Sequence, residues 1–315
     1  MELKKVQHSP HIVSKTTTSG IMLDVIFALL PATLVGIVYF GPRAIALLAT
    51  SIVTAVLAEY ICCKIMKKPN SIGNFSAIVT GLLLGLNLPP TLPIWMAVVG
   101  SGIAIVVVKM MFGGLGQNFA NPAIVGRIVL MMSFATAMTK WATPLAWMDT
   151  SVDAVATATP LANEAALLSH DISYMQLFLG LHGGCIGETC ALALIVGGLY
   201  LVIRKVISPA IPVAFIGTVA AFSAILGLDP LAAILSGGVM IGAIFMATDY
   251  VTSPHNTWGR IIFGIGCGLV TVVIRQFGAL PEGVSYAILL MNLLVPHIEK
   301  ITRRKPFGWE AQKNG

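Results

Sequence analysis

Apolar runs punctuated by Gly, Pro, Asn or charge recur along the 315 residues, at about 21–40, 43–64, 75–88, 93–112, 122–138, 185–204, 208–226, 230–247, 258–275 and 280–299. A helix needs about 20 apolar residues to cross a bilayer core. The pattern therefore predicts ten transmembrane helices, with the third and eighth short or interrupted. These two carry an internal echo, Ala77-Ile-Val-Thr-Gly81 and Ala233-Ile-Leu-Ser-Gly237. They lie five spans apart, so the two copies point in opposite directions. Each is followed by a stretch unfit for a plain helix, Gly85-Leu-Asn-Leu-Pro-Pro-Thr-Leu-Pro93 and Ala247-Thr-Asp-Tyr-Val-Thr-Ser-Pro254. Paired interruptions in corresponding halves point to an inverted repeat around a central site. The expected fold is an all-α integral membrane protein of two inverted five-helix repeats, 21–138 and 185–299. A polar segment 1–20 precedes them, a polar connection 139–184 joins them, and a tail 300–315 follows.

Composition agrees. The chain is 57% hydrophobic and 10% charged, with mean hydropathy +0.89, against roughly 25% charged in soluble domains. The first twenty residues are polar and lead to no small-residue cleavage site, so the first run is expected to remain as a span. The net charge of +6 sits mostly at helix ends, which makes it a topological signal rather than a nucleic-acid footprint. With a cytoplasmic N-terminus, fifteen Lys and Arg fall inside and only Arg43, Lys140 and Arg275 outside, while Arg127 lies within the fifth run. Both termini are therefore expected in the cytoplasm and 139–184 outside. Five cysteines without a Cys-x-x-Cys pair read as small apolar helix residues, and no metal site is expected.

Ionisable residues inside spans are functional candidates. Asp24 and Glu59 lie near helix ends, where snorkelling or pairing explains them. Glu188 and Asp249 stand beside interruptions and are candidates for coupling to an ion. Gly113-Gly-Leu-Gly-Gln-Asn-Phe-Ala-Asn-Pro122 has two readings. Asn121 and Pro122 suit an N-cap and first helical residue. The glycines, Gln117 and Asn118 exceed what a connector needs and suit ligand contact. No Gly-x-Ser-x-Gly, Walker loop or His-Glu-x-x-His occurs, and the six histidines are scattered, so no catalytic residue is assigned.

The polar connection holds Asp153-Ala-Val-Ala-Thr-Ala-Thr159-Pro-Leu-Ala162. This resembles the flavinylation segment of the Rnf complex D subunit, whose relative is the B subunit of the sodium-pumping NADH:quinone oxidoreductase. The resemblance spans nearly the whole chain, through Gly114 to Pro122, Phe245 to Pro254, Gly259 to Phe263 and Ala287 to Pro296. The family motif reads roughly Asp-x-x-Ser-Gly-Ala-Thr. Ala156-Thr157 stand here in place of Ser-Gly, and Asp153 and Pro160 set the register that aligns Thr159 with the modified threonine. Thr157 is the competing hydroxyl. The resemblance implies a membrane flavoprotein subunit of an ion-translocating ferredoxin:NAD oxidoreductase, not catalytic alone. It implies covalent FMN on Thr159 through a phosphoester, noncovalent riboflavin toward the inner side, and coupling to Na+ or H+. Gly113, Gln117, Asn118, Asn121 and Thr248-Asp249 are expected to line the inner flavin or ion region. The implied partners are subunits of the G, A, E, C and B types and a flavin transferase, in a bacterial cytoplasmic membrane. A solute permease or channel with inverted repeats remains the alternative reading.

Overall fold

The computed structural model describes residues 16–148, 156–157 (backbone only), 173–278 and 282–303. Helix α1 (Thr18–Ile65) begins at an N-cap, where Thr17 Oγ1 accepts from the Gly20 N–H at 3.1 Å. A straight helix of 48 residues would be about 72 Å long, more than twice a bilayer core. Instead the chain turns at Gly41, with φ 69° and ψ −154°, a conformation open essentially to glycine. Pro42 then opens the second limb, where its missing N–H costs no helix bond. The limbs fold back on each other, because Ser19 Oγ reaches Gly73 O at 3.1 Å. The indole of Trp147 covers Gly41 where a Cβ would stand, and its Nε1 donates to Val38 O at 3.0 Å.

Helix α2 (Ser76–Leu86) packs on the second limb of α1, and α3 (Ile94–Ile103) runs into a π-helical segment, Ala104–Met110. Helix α4 (Pro122–Ser133) starts as expected: Asn121 Oδ1 caps Ala123 N at 3.0 Å and Pro122 is the first helical residue. The fifth run does not continue as one helix, because Phe134 breaks it before the short α5 (Ala135–Met138). Strands β1 (Trp141–Ala142) and β2 (Ala156–Thr157) form a two-residue antiparallel ribbon, with Trp141 opposite Thr157. After α6 (Tyr174–Leu179), the sixth run is helical only over α7 (Ala191–Ile203). Helices α8 (Ala210–Ile225) and α9 (Pro230–Leu235) lead to a break at Ser236–Gly238. Beyond it, α10 (Val239–Ile241) merges into a second π-helical segment, Gly242–Met246. Helices α11 (Thr257–Phe277) and α12 (Val284–Thr302) complete the described chain.

By length and composition, α1, α11 and α12 are each long and apolar enough to cross a membrane, and the remaining longer helices are shorter and apolar. Side chains such as Leu34, Val38, Val53, Leu199 and Val213 are exposed, as the outer face of a membrane bundle requires. The sixth run departs from expectation between 185 and 190. Backbone freed from helix bonding cannot face hydrocarbon, and here two interruptions satisfy each other. Ile186 N donates to Leu88 O at 3.1 Å and Gly187 N donates to Leu86 O at 2.8 Å.

Contacts sort the connections into two ends. One holds Gly41, Thr91, Lys140, Trp147, Leu179 and Asp229, through Thr91–Lys140, Trp147–Val38, Tyr39–Leu179 and Tyr174–Asp229 hydrogen bonds. The other holds Ser19, Lys68, Gly113, Arg204, Tyr250 and Thr302, through Ser19–Gly73, Lys68–Gly113, Arg204–Asp24, Tyr250–Val206 and Asn256–Thr302 contacts. Most described lysines and arginines lie at this second end.

Candidate functional site

Near the basic end, a cavity of about 280 Å³ opens between α1, α2, the first π segment, the 113–121 loop and the second π segment. Its walls are apolar at Ile21, Val79, Leu83 and Phe245, and polar at Ser76, Thr80, Lys109, Asn118, Asn121 and Asp249. The polar groups come from separate stretches of sequence. Both π segments contribute a wall residue, Lys109 and Phe245. π turns reset the face a side chain presents and are frequent at functional sites. Asn121 is fixed on two sides, as helix cap and through Nδ2 to Met246 O at 3.1 Å. Asn118 Nδ2 donates to Ala120 O at 3.0 Å. Asp249 Oδ2 accepts from Thr252 Oγ1 at 3.1 Å.

A second polar cluster is buried deeper. Arg127 of α4 is 2% exposed. Its Nη2 pairs with Glu282 just ahead of α12, lies 3.5 Å from Cys185 Sγ, and is 3.8 Å from Glu188 Oε2. Its Nη1 donates to Asn87 Oδ1 at 2.8 Å. Glu188 Oε1 accepts from Cys185 N at 3.0 Å, while its Oε2 has no hydrogen-bond partner. Arg275 of α11 caps the broken span, donating to Ala233 O at 2.7 Å and Ser236 O at 3.1 Å. Two arginines and two glutamates thus offset one another where the interruptions at Asn87, 182–190 and 236–238 converge. Ligand atoms of Cys185, Glu188 and Glu282 lie within 4.8 Å of one another, but the guanidinium already supplies the positive charge among them.

The two clusters are joined. From Arg127 the contacts run to Asn87, whose Nδ2 reaches Met246 Sδ at 3.5 Å, and Met246 O in turn holds Asn121 at the cavity wall.

Of the residues singled out from sequence, Asn118, Asn121 and Asp249 meet at the cavity, and Glu188 joins the deep cluster. Gly113 and Gln117 are not on the cavity wall. Gly113 has φ 128° and its carbonyl accepts from Lys68 Nζ at 2.9 Å, which makes it a turn residue. Thr248 Oγ1 donates to Ile244 O at 2.6 Å. Thr157 lies on β2, and Asp153 and Thr159 fall outside the described residues. Asp24 pairs with Arg204 and Tyr200, as a residue near a helix end does. Glu59 proves fully buried. Sequence reasoning missed Lys109, Arg275 and Glu282, and gave Arg127 no role. The signal available was the position of Lys109, Arg275 and Glu282 near the ends of apolar runs and of Arg127 inside one.

Residues 5–308 match the family described as NQR2, RnfD, RnfE. The D subunit of a Na(+)-translocating ferredoxin:NAD(+) oxidoreductase complex from Acetobacterium woodii is 48% identical over 96% of this chain and 95% of its own length. The D subunit of a proton-translocating ferredoxin:NAD(+) oxidoreductase complex from Clostridium ljungdahlii is 44% identical over 96% of each chain. The D subunit of an ion-translocating oxidoreductase complex from Stutzerimonas stutzeri is 38% identical over 95% of this chain and 94% of its own length. With nearly every residue covered at such identities, the chain belongs to the NQR2, RnfD, RnfE family, and these three relatives are D subunits.

Proposed function

We propose that this chain is the membrane flavoprotein subunit of an ion-translocating ferredoxin:NAD oxidoreductase complex, working with other subunits of that complex. The observation that carries this is the match, over almost the full length of both chains, to D subunits named for that activity. In this reading ten spans form two inverted five-helix repeats, with both termini and the basic end in the cytoplasm. The 139–184 connection lies outside, where a flavin transferase joins FMN to Thr159 through a phosphoester. The Asp153 to Pro160 register supports Thr159 over Thr157.

The inner cavity suits a noncovalent flavin, riboflavin in the family. Phe245, Leu83 and Val79 offer apolar walls, and Asn118, Asn121, Lys109 and Asp249 offer donors and acceptors. A bound flavin supplies one- and two-electron chemistry that no side chain has. The protein's part is to hold and orient it and to keep water away. Asp249 at the cavity and Glu188 in the deep cluster are the coupling candidates. The relatives' names divide between Na(+) and proton, so this reading takes either ion.

Mass spectrometry of the 141–204 peptide should find FMN on Thr159. Denatured wild-type protein should fluoresce in a gel under ultraviolet light, whereas Thr159→Val should be dark and Thr157→Val should not. A dark wild type, from a host with an active flavin transferase, would remove covalent FMN from this reading. For coupling, Asp249→Asn should abolish ion uptake into sealed vesicles during ferredoxin oxidation, and normal uptake would remove Asp249 from the mechanism.

A further inference from the structure

Lys109 is the only Lys or Arg on the wall of the inner cavity, among the described residues. It is 2% exposed and belongs to the π turn that continues α3. Its Nζ donates to Glu59 Oε2 and to Ser76 Oγ, each at 2.7 Å. The other carboxylate oxygen of Glu59 is held by Ser71 Oγ. Ser76 Oγ in turn donates to Asn74 Oδ1 at 2.5 Å, which leaves it an acceptor for Lys109. An ammonium has three N–H donors. Two are fixed by Glu59 and Ser76, and the third has no protein partner among the described hydrogen bonds.

The arrangement is polarised. Lys109 and Ser76 stand on the cavity wall, whereas Glu59 and Ser71 lie behind it. The ion pair therefore presents its positive end to the cavity. Asp249 lines the same cavity from a different segment. Burying an ion pair is costly, and apolar residues of similar volume often serve stability equally well. A buried pair with one end on a cavity wall thus calls for an explanation beyond folding.

We propose that Lys109 is a positioning residue for the redox cofactor of the inner cavity. Its free N–H meets an acceptor on the ring edge, and its charge offsets the negative charge that arrives with each electron. Glu59, Ser71 and Ser76 hold the ammonium in place and aimed. Favouring the reduced, more anionic form raises the midpoint potential. This inference rests on the reading of the cavity as a flavin site.

The test uses the assembled membrane complex, with noncovalent flavin counted by extraction and its midpoint potential read by redox titration. Lys109→Met with Glu59→Gln removes both charges together and so strands neither. That variant should retain its flavin with a lower midpoint potential, or lose flavin while still assembled. Lys109→Arg keeps the charge and should hold flavin near the wild-type potential. Flavin retained at an unchanged potential in the double variant would overturn the role of Lys109 and leave the flavin site standing. A wild-type complex without noncovalent flavin would overturn both. If the double variant fails to assemble, Ser76→Ala decides: a smaller shift in the same direction supports the inference, and an unchanged potential overturns it.

Discussion

At the scale of single residues, the arrangement turns on paired charges that the bundle buries. Arg127 is held by Glu282, Asn87 and the Cys185 thiol, with Glu188 nearby. Removing one partner of a buried pair leaves the other charged in a medium that cannot solvate it, at a cost of about 3–5 kcal/mol. Arg127→Met should therefore lower the unfolding temperature in detergent sharply. Combining it with Glu282→Gln should recover much of the loss, and that non-additivity is the measurable sign of the pair. A double variant no more stable than Arg127→Met alone would show that Arg127 acts through another partner. Arg127 was visible in the sequence as a charge inside an apolar run, but its partner was not. Glu282 sits just ahead of the last helix, where an acid ordinarily reads as a solvated turn residue. Only the packing of α12 against α4 reveals the pairing.

At the scale of elements, the apolar runs located the helices well and the Asn121-Pro122 signature located the start of α4. Two kinds of feature escaped. The first is the π turn. Lys109 reads as a residue near the cytoplasmic end of a span, free to extend its ammonium into water. The π segment 104–110 changes the face on which it emerges and turns it toward Glu59. Periodicity reasoning assumes 3.6 residues per turn and has no means of registering the change. The second is the pairing of the irregular stretch 182–190. An interruption beside Glu188 is legible in the sequence, but not that two backbone donors of the stretch are taken by Leu86 and Leu88 of another interruption. That pairing joins segments far apart in the chain, beyond the reach of local propensity. Asn118, Asn121 and Asp249, singled out together from the sequence, line one cavity. Gly113 and Gln117, singled out with them, do not.

At the scale of the whole molecule, the two ends differ in charge, and the sidedness assigned from that difference is open to direct measurement. Met148, at the end bearing the polar connection, and Asn70, at the basic end, are both exposed. In intact cells, Met148→Cys should react with a membrane-impermeant maleimide, and Asn70→Cys should react only after the membrane is opened. The opposite result would invert the topology. The seam of contacts from Arg127 through Asn87 and Met246 to Asn121 has a consequence at this scale too. A membrane carrying a gradient is a charged capacitor, and a subunit of an ion-translocating complex must not short-circuit it. Along this seam the described side chains bond mainly to one another and a buried guanidinium sits at its head, an arrangement that disfavours passive leak of cations through the middle of the bundle.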